Sequence, residues 1–228
     1  MQEIQSSRNN ITVTLLFTAI GFVIYMPLLG NGFLSDDYDS LYRIYIQKRI
    51  LYKEFLRPMI DISFYFNYLI SGLSAWSYYL FNIIVHIINA LLVFRLAAGY
   101  TLFSKKDQRL FAFWSGLLFL IYPFHNESIA WLSGRLSSMA CLFALISLII
   151  NSERKGKMAI ILSALFFLFG LLSYESIIFL PAIIIMIQWL KGRSMKNLFV
   201  QTGFWLLAIS VYLSLRFLLS GEITGDYG

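Results

Sequence analysis

Apolar residues in this sequence gather into seven runs that are separated by polar linkers. The runs lie at 11–30, 77–98, 110–122, 136–150, 158–173, 176–190 and 198–219. A helix needs about 20 apolar residues to cross a bilayer, and the third, fifth and sixth runs are shorter, so they would have to tilt, break or recruit flanking residues. The pattern predicts an all-α fold, a polytopic bundle of about seven transmembrane helices.

The longest connection between the runs covers residues 31–76 and carries a pattern of its own. From Leu41 to Phe55, apolar residues recur near helical spacing, although Lys48 falls on the apolar side. We interpret this stretch as an interfacial helix that lies along the membrane surface and ends before Pro58.

The composition agrees with a membrane protein. Of the 228 residues, 59% are hydrophobic and 13% are charged, whereas soluble chains carry roughly 25% charged residues. The single Cys141 excludes a disulfide within the chain. A net charge of +6 would suggest a nucleic-acid partner for a soluble protein. Here it is explained by basic cytoplasmic loops, so we expect a lipid bilayer as partner and no nucleic acid.

The charged residues predict how the chain crosses the membrane. Three linkers are clearly basic, and they contain Lys105, Lys106, Arg109, Arg154, Lys155, Lys157, Lys191, Arg193 and Lys196. Basic loops stay in the cytoplasm, which places the N-terminus inside, the 31–76 loop outside and the end of the seventh run outside.

The first run, 11–30, is interpreted as an uncleaved signal anchor. We expect residues 1–228 to form a single transmembrane domain, with the spans after the outer loop within 77–219.

Ionisable residues also gather at the outer ends of the predicted spans. They are Asp36, Asp37, Arg57, His125, Glu127, Arg135 and Glu175. Such residues are rare near a membrane and usually face a cavity or one another, so we expect them to converge on one outward-facing site.

Each of these residues also has an ordinary explanation. The Asp36-Asp37 pair could cap a helix, and His125 and Glu127 could be interfacial residues. Arg135 and Arg216 could extend to the lipid headgroups. Asn82 and His86 stand one helical turn apart, and for them we favour an interhelical hydrogen bond.

The order of the motifs carries a resemblance to a known family. Phe33 precedes the Asp36-Asp37 pair, and Arg57-Pro58 and Asn82-x3-His86 follow. The further motifs are YPFHNESIAWLSGR (122–135), LLSYESIIFLP (171–181) and Tyr212-x3-Arg216. In this order they resemble the GT-C membrane glycosyltransferases, most of all the branch of the transmembrane-and-tetratricopeptide O-mannosyltransferases and their bacterial relatives. The resemblance covers about residues 22–218.

The chain departs from the family pattern at several points. Tyr122 stands where the first loop histidine is expected, Tyr174 replaces the lysine before Glu175, and Tyr79 stands where a histidine is frequent. Family members also have more spans and often a soluble C-terminal domain. The sequence is therefore either a minimal or truncated member or the N-terminal part of a longer protein, and both alternatives stay open.

The resemblance implies an inverting transfer of a sugar from a polyprenyl-phosphate-linked donor to a hydroxyl of a protein or glycan acceptor on the outer face. Asp36 would be the general base, with Asp37 orienting groups or helping to bind a metal. Arg57 or Arg135 would hold the lipid phosphate. His125 and Glu127, spaced as His-x-Glu, could reach the site or ligate a divalent cation, and Glu175 is a further candidate. Metal use differs within the family and stays open.

Two other function classes compete with this interpretation. A non-catalytic membrane subunit or scaffold would keep the fold and motifs, and the small number of spans favours it somewhat. A transporter is a weaker alternative, because its ionisable residues would lie near the middle of the membrane. For the location we expect a multi-pass protein, in a bacterial inner membrane rather than in the endoplasmic reticulum.

Overall fold

The computed structural model describes residues 2–48, 56–99, 104–154, 156–190 and 195–220, and within these ranges the protein is all-α. Its α-helices are α1 Gln2–Tyr25, α2 Asp36–Leu41, α3 Pro58–Ser71, α4 Trp76–Ala98, α5 Lys105–Ile121, α6 Asn126–Ala130, α7 Arg135–Glu153, α8 Lys157–Leu171, α9 Leu180–Leu190 and α10 Met195–Ser220. Short 3₁₀ turns add Met26–Gly30, Pro123–His125 and Glu175–Phe179, and a π-helical turn covers Tyr42–Ile46.

Each of the seven apolar runs is largely helical in the structure, so the predicted all-α class is confirmed for the described residues. Four helical segments are long and apolar enough to cross a membrane: Asn10–Gly30, Trp76–Ala98, Arg135–Glu153 and Phe199–Leu219. The apolar segments Lys157–Leu171 and Glu175–Met186 are shorter. The number of seven spans therefore stays a prediction.

The predicted outer loop contains helices of its own. Within 31–76, α2 continues into the π-helical turn, and α3 follows. The predicted interfacial helix Leu41–Phe55 falls partly outside the described residues, since 49–55 are among the undescribed ones. Proline lacks an N–H group and suits the first turn of a helix, and accordingly Pro58 begins α3.

One compact unit comprises residues 1–37 and 67–138. Its core lies where α1, α4 and α5 pack together, and the buried side chains there include Phe17, Ile83 and Leu120. The helices approach closely at Gly116, because a Cβ atom there would lie 2.6 Å from Phe17 Cε2 and 2.9 Å from the Ala90 carbonyl oxygen.

The second unit comprises residues 38–66 and 139–228. Trp205 and Tyr212 of α10 are buried against α8 and α9. The guanidinium of Arg43 donates to both carboxylate oxygens of Asp61, at 2.9 Å and 2.7 Å. Burial raises the pKa of the Asp61 carboxyl, although the hydrogen bonds and charge of Arg43 act in the opposite direction.

Candidate functional site

The carboxylate of Asp37 is buried and fully engaged by hydrogen bonds. One oxygen accepts from the backbone N–H of Leu34 at 2.9 Å. The other accepts from the backbone N–H of Ser133 at 2.9 Å and from its hydroxyl at 2.7 Å. The side chain is 0% exposed. Through these three bonds, Asp37 joins the start of α2 to the loop before α7.

The bond to Leu34 closes a tight turn directly before α2, since the Asp37 side chain reaches back three residues along the chain. That the Asp36-Asp37 pair caps the helix stays a prediction.

Asp36 lies beside Asp37 in a different environment. It is exposed at the first position of α2, and its carboxylate accepts a 2.8 Å bond from the Ser35 hydroxyl. Ser35 has a φ of 39°, in the left-handed region that residues other than glycine seldom adopt. The tight turn therefore presents one acid to the exterior while the next points inward.

Arg135 lies buried among neutral acceptors. Its guanidinium donates to the side-chain oxygens of Asn82 and Asn67, each at 2.8 Å, and to the carbonyl oxygen of Tyr78 at 2.9 Å. It also lies over the ring of Phe81, 4.6 Å from its centre. Arg135 is 0% exposed, so the interpretation that it extends to lipid headgroups is wrong. These contacts favour a role in holding the start of α7 against α3 and α4, and phosphate binding by Arg135 stays a prediction.

Asn82 and His86 of α4 make the interhelical bonds that their spacing predicted. Asn82 donates to the carbonyl oxygen of Ile129 in α6 at 3.2 Å. His86 lies 3.0 Å from the carbonyl oxygen of Leu120 in α5. This interpretation is confirmed.

His125 and Glu127 take up separate positions near the turn between α5 and α6. The His125 ring bonds through Nδ1 to the carbonyl oxygen of Phe119 at 3.0 Å and lies 5.5 Å from the His86 ring. Glu127 is exposed. In the part of the chain that the structure describes, no three His, Cys, Asp or Glu side chains are grouped so as to hold a metal ion, and we derive no chemistry through one.

In the second unit, Arg57 and Glu175 form an ion pair. The guanidinium donates to the carboxylate at 2.9 Å and 3.3 Å and lies over the ring of Tyr174 at 5.0 Å. The arginine precedes α3, and the glutamate begins the 3₁₀ turn before α9. Both side chains are partly exposed, at 18% and 24%, so this pair is accessible from outside the unit.

The interpretation that Arg216 extends to the lipid headgroups is also wrong. Arg216 is 5% exposed, and its guanidinium donates to the hydroxyl of Tyr212 at 2.9 Å. The four-residue spacing places both side chains on one face of α10.

The predicted residues divide between the two units. Five belong to the first unit: Asp36, Asp37, His125, Glu127 and Arg135. Arg57 and Glu175 belong to the second. Convergence of all seven on one site stays a prediction.

Sequence reasoning missed the partners of these residues. Ser133 donates to Asp37 and lies in the motif 122–135, directly before Gly134-Arg135. Its place in that motif was the sign in the sequence that it could contact a site residue. Asn67 and the carbonyl oxygen of Tyr78, which hold Arg135, gave no signal in the sequence pattern.

Comparison with known proteins supplies relatives for this chain. It is 27% identical over 229 residues to protein O-mannosyl-transferase F38B6.6 of Caenorhabditis elegans, covering 91% of this chain and 32% of the relative. It is 29% identical over 157 residues to protein O-mannosyl-transferase TMTC2 of Homo sapiens, covering 59% of this chain and 18% of the relative. The Drosophila melanogaster protein O-mannosyl-transferase Tmtc2 is 30% identical over 168 residues, which is 64% of this chain and 17% of the relative.

The chain therefore spans about a third or less of the length of these relatives. No family model matches it, and neither does a solved structure. The three relatives are animal proteins, so they do not support our expectation of a bacterial inner membrane. The predicted resemblance itself is confirmed: the curated relatives of this chain are protein O-mannosyl-transferases, the branch that its motifs resemble.

Proposed function

We propose that this chain is the membrane part of a glycosyltransferase of the GT-C type. It would transfer a sugar, mannose being the first candidate, from a polyprenyl-phosphate-linked donor to a hydroxyl group of a protein on the outer face of the membrane. The names of the relatives support the sugar and the kind of acceptor. The observation that carries the proposal is the exposed carboxylate of Asp36 beside a neighbour whose oxygens are already bonded.

The proposed chemistry needs a base for the acceptor hydroxyl. As the hydroxyl oxygen bonds to the anomeric carbon of the sugar, its proton passes to the Asp36 carboxylate. The bond between the anomeric carbon and the phosphate oxygen breaks, and its electron pair leaves with the lipid phosphate. Asp36 suits this role because it is exposed and its only described partner is a neutral hydroxyl, that of Ser35.

The departing phosphate needs positive charge or hydrogen-bond donors as its own charge develops. We assign this role to Arg57. A guanidinium has five N–H donors in a planar fork, so it can serve a carboxylate and a phosphate at once. Glu175 would then hold the guanidinium in a fixed orientation through the two bonds already described.

Replacing Asp36 by Asn tests the proposal. In the full-length protein, Asp36→Asn should lower transfer from a polyprenyl-phosphate mannose to an acceptor peptide by ~10²–10⁴-fold, because the amide cannot take the proton. The change is nearly isosteric and the side chain is exposed, so insertion and folding should be unaffected. The measurement is turnover per folded protein.

Asp39→Asn is the matched control, since Asp39 is an exposed acid of the same helix. It should keep wild-type turnover. Normal turnover by Asp36→Asn would remove Asp36 as the base. A wild type that transfers no sugar from any polyprenyl-phosphate donor would overturn the proposed function.

A further inference from the structure

We infer that Asp37 is a positioning residue that fixes the direction of the Asp36 carboxylate by fastening its turn to the loop before α7. This inference rests on the proposed function, in which Asp36 is the base. Two adjacent acids in a candidate active site could share the proton-accepting role. The geometry assigns them different ones.

Both carboxylate oxygens of Asp37 already accept hydrogen bonds. Together they accept three bonds of 2.7–2.9 Å from Leu34 and Ser133, and the side chain is 0% exposed. To accept a proton from an acceptor hydroxyl, Asp37 would have to break one of these bonds and reach the exterior. Asp36 meets neither obstacle, because it is exposed at the start of α2.

Asp36 and Asp37 are consecutive residues of α2, so the direction of one side chain depends on that of the other. Consecutive residues of an α-helix point about 100° apart around its axis. Once the Asp37 side chain is held by Ser133, the rotation of the first turn of α2 is set, and with it the direction of Asp36. A misplacement of ~1 Å in a catalytic group can cost on the order of 10²-fold in rate, so this fastening has a direct consequence for catalysis.

The loop that carries Ser133 is itself closely packed and hydrogen-bonded. Ser133 is followed by Gly134, where a Cβ atom would overlap the Glu127 carbonyl oxygen and lie 3.2 Å from Ser128 Cα. Arg135 comes next, with its guanidinium held by Asn82, Asn67 and Tyr78. The loop that holds Asp37 is therefore itself fixed to α3, α4 and α6.

Substitutions at both ends of the Asp37–Ser133 contact test the inference. Asp37→Asn places an amide with a single acceptor oxygen before three donors, so at least one bond is lost. Ser133→Ala removes the hydroxyl bond alone. We expect kcat to fall ~10-fold in Ser133→Ala and ~10²-fold in Asp37→Asn, with unchanged binding of the polyprenyl-phosphate donor. The double variant should be less affected than the product of the two single effects, because both remove one contact.

A control variant and a conservative variant separate positioning from other roles. Ser115→Ala removes a hydroxyl that donates to the Phe111 carbonyl oxygen within α5, and it should leave kcat unchanged. Ser133→Thr keeps a hydroxyl donor and should restore most of the activity. Additive effects in the double variant, or no recovery in Ser133→Thr, would overturn the positioning role.

A readout without turnover keeps this inference apart from the proposed function. Hydrogen exchange at the backbone amides of Leu34 and Ser133 should accelerate in Asp37→Asn and stay at the wild-type rate in Asp36→Asn. Unchanged exchange in Asp37→Asn would overturn the fastening even if transfer is normal. Faster exchange together with a normal kcat would show that the fastening of the turn does not affect catalysis, and this would overturn the positioning role of Asp37. A wild type without transfer would instead refute the base role of Asp36 on which the inference depends.

Discussion

At the scale of single residues, the charged groups of this protein are distinguished by their immediate partners. Asp36 is exposed, whereas Asp37 is buried and engaged by three donors. Arg57 is partly exposed in an ion pair, whereas Arg135 is wholly buried among neutral acceptors. A charge that is buried and engaged supports the fold, whereas an accessible one is available to a ligand.

The two arginines should therefore respond differently to substitution. Arg57→Gln should weaken binding of a polyprenyl phosphate about tenfold or more, since a charged hydrogen bond contributes about 1.5–3 kcal/mol. Arg135→Gln should destabilise the protein by ~3 kcal/mol, because buried acceptors on Asn82, Asn67 and Tyr78 lose their donor. Lipid titration and thermal unfolding of the purified full-length protein measure the two effects.

Arg109→Gln is the control for both arginine variants, because Arg109 is an exposed cation of α5. It should change neither quantity. Unchanged donor affinity in Arg57→Gln would remove Arg57 from the phosphate site. A stable Arg135→Gln protein with weakened donor binding would return Arg135 to that site.

At the scale of helices, close packing in the first unit depends on glycine. Gly116 of α5 lies against Phe17 of α1 and against Ala90 and Phe94 of α4. Small residues let helix backbones approach in a membrane, where the hydrophobic effect between helices is absent and packing contributes most.

Gly116→Ala should destabilise the protein by about 1–3 kcal/mol, because the added methyl group overlaps neighbours that include a backbone carbonyl oxygen. Gly203→Ala in α10 is the matched control, since in the described part of the chain no atom outside its own stretch of helix lies within 4 Å of its Cβ position. The control should be neutral or slightly stabilising, because alanine favours a helix by about 1 kcal/mol over glycine. Denaturant unfolding in detergent compares the two variants, and equal stability changes would contradict the packing argument.

At the scale of the whole molecule, the apolar helices and the basic linkers predict how the chain crosses the membrane. Four helical segments meet the length and hydropathy expected of a span. The alternation of basic and mixed connections predicts which side each one faces. Cysteine labelling measures these sides directly.

Ser40→Cys should react with a membrane-impermeant thiol reagent from the outside, and Ser152→Cys from the inside. Ser40 lies in α2 within the predicted outer loop, and Ser152 lies at the end of α7 before a basic linker. Cys141→Ser provides the background, since Cys141 is the sole native cysteine. Labelling of Ser152→Cys from the outer side would overturn the predicted topology.

The sequence by itself determined where the long apolar helices lie, because an apolar run in a membrane needs an internally bonded backbone and so forms a helix. It also determined that Asn82 and His86 bond to neighbouring helices, since their spacing places both on one face. Only the tertiary structure decided that Asp37 is held and Asp36 is exposed, and that Arg135 is buried. The physical reason is distance along the chain: the Asp37 partner Ser133 lies 96 residues away. Local periodicity carries no information about which distant polar groups the packing brings within hydrogen-bond distance.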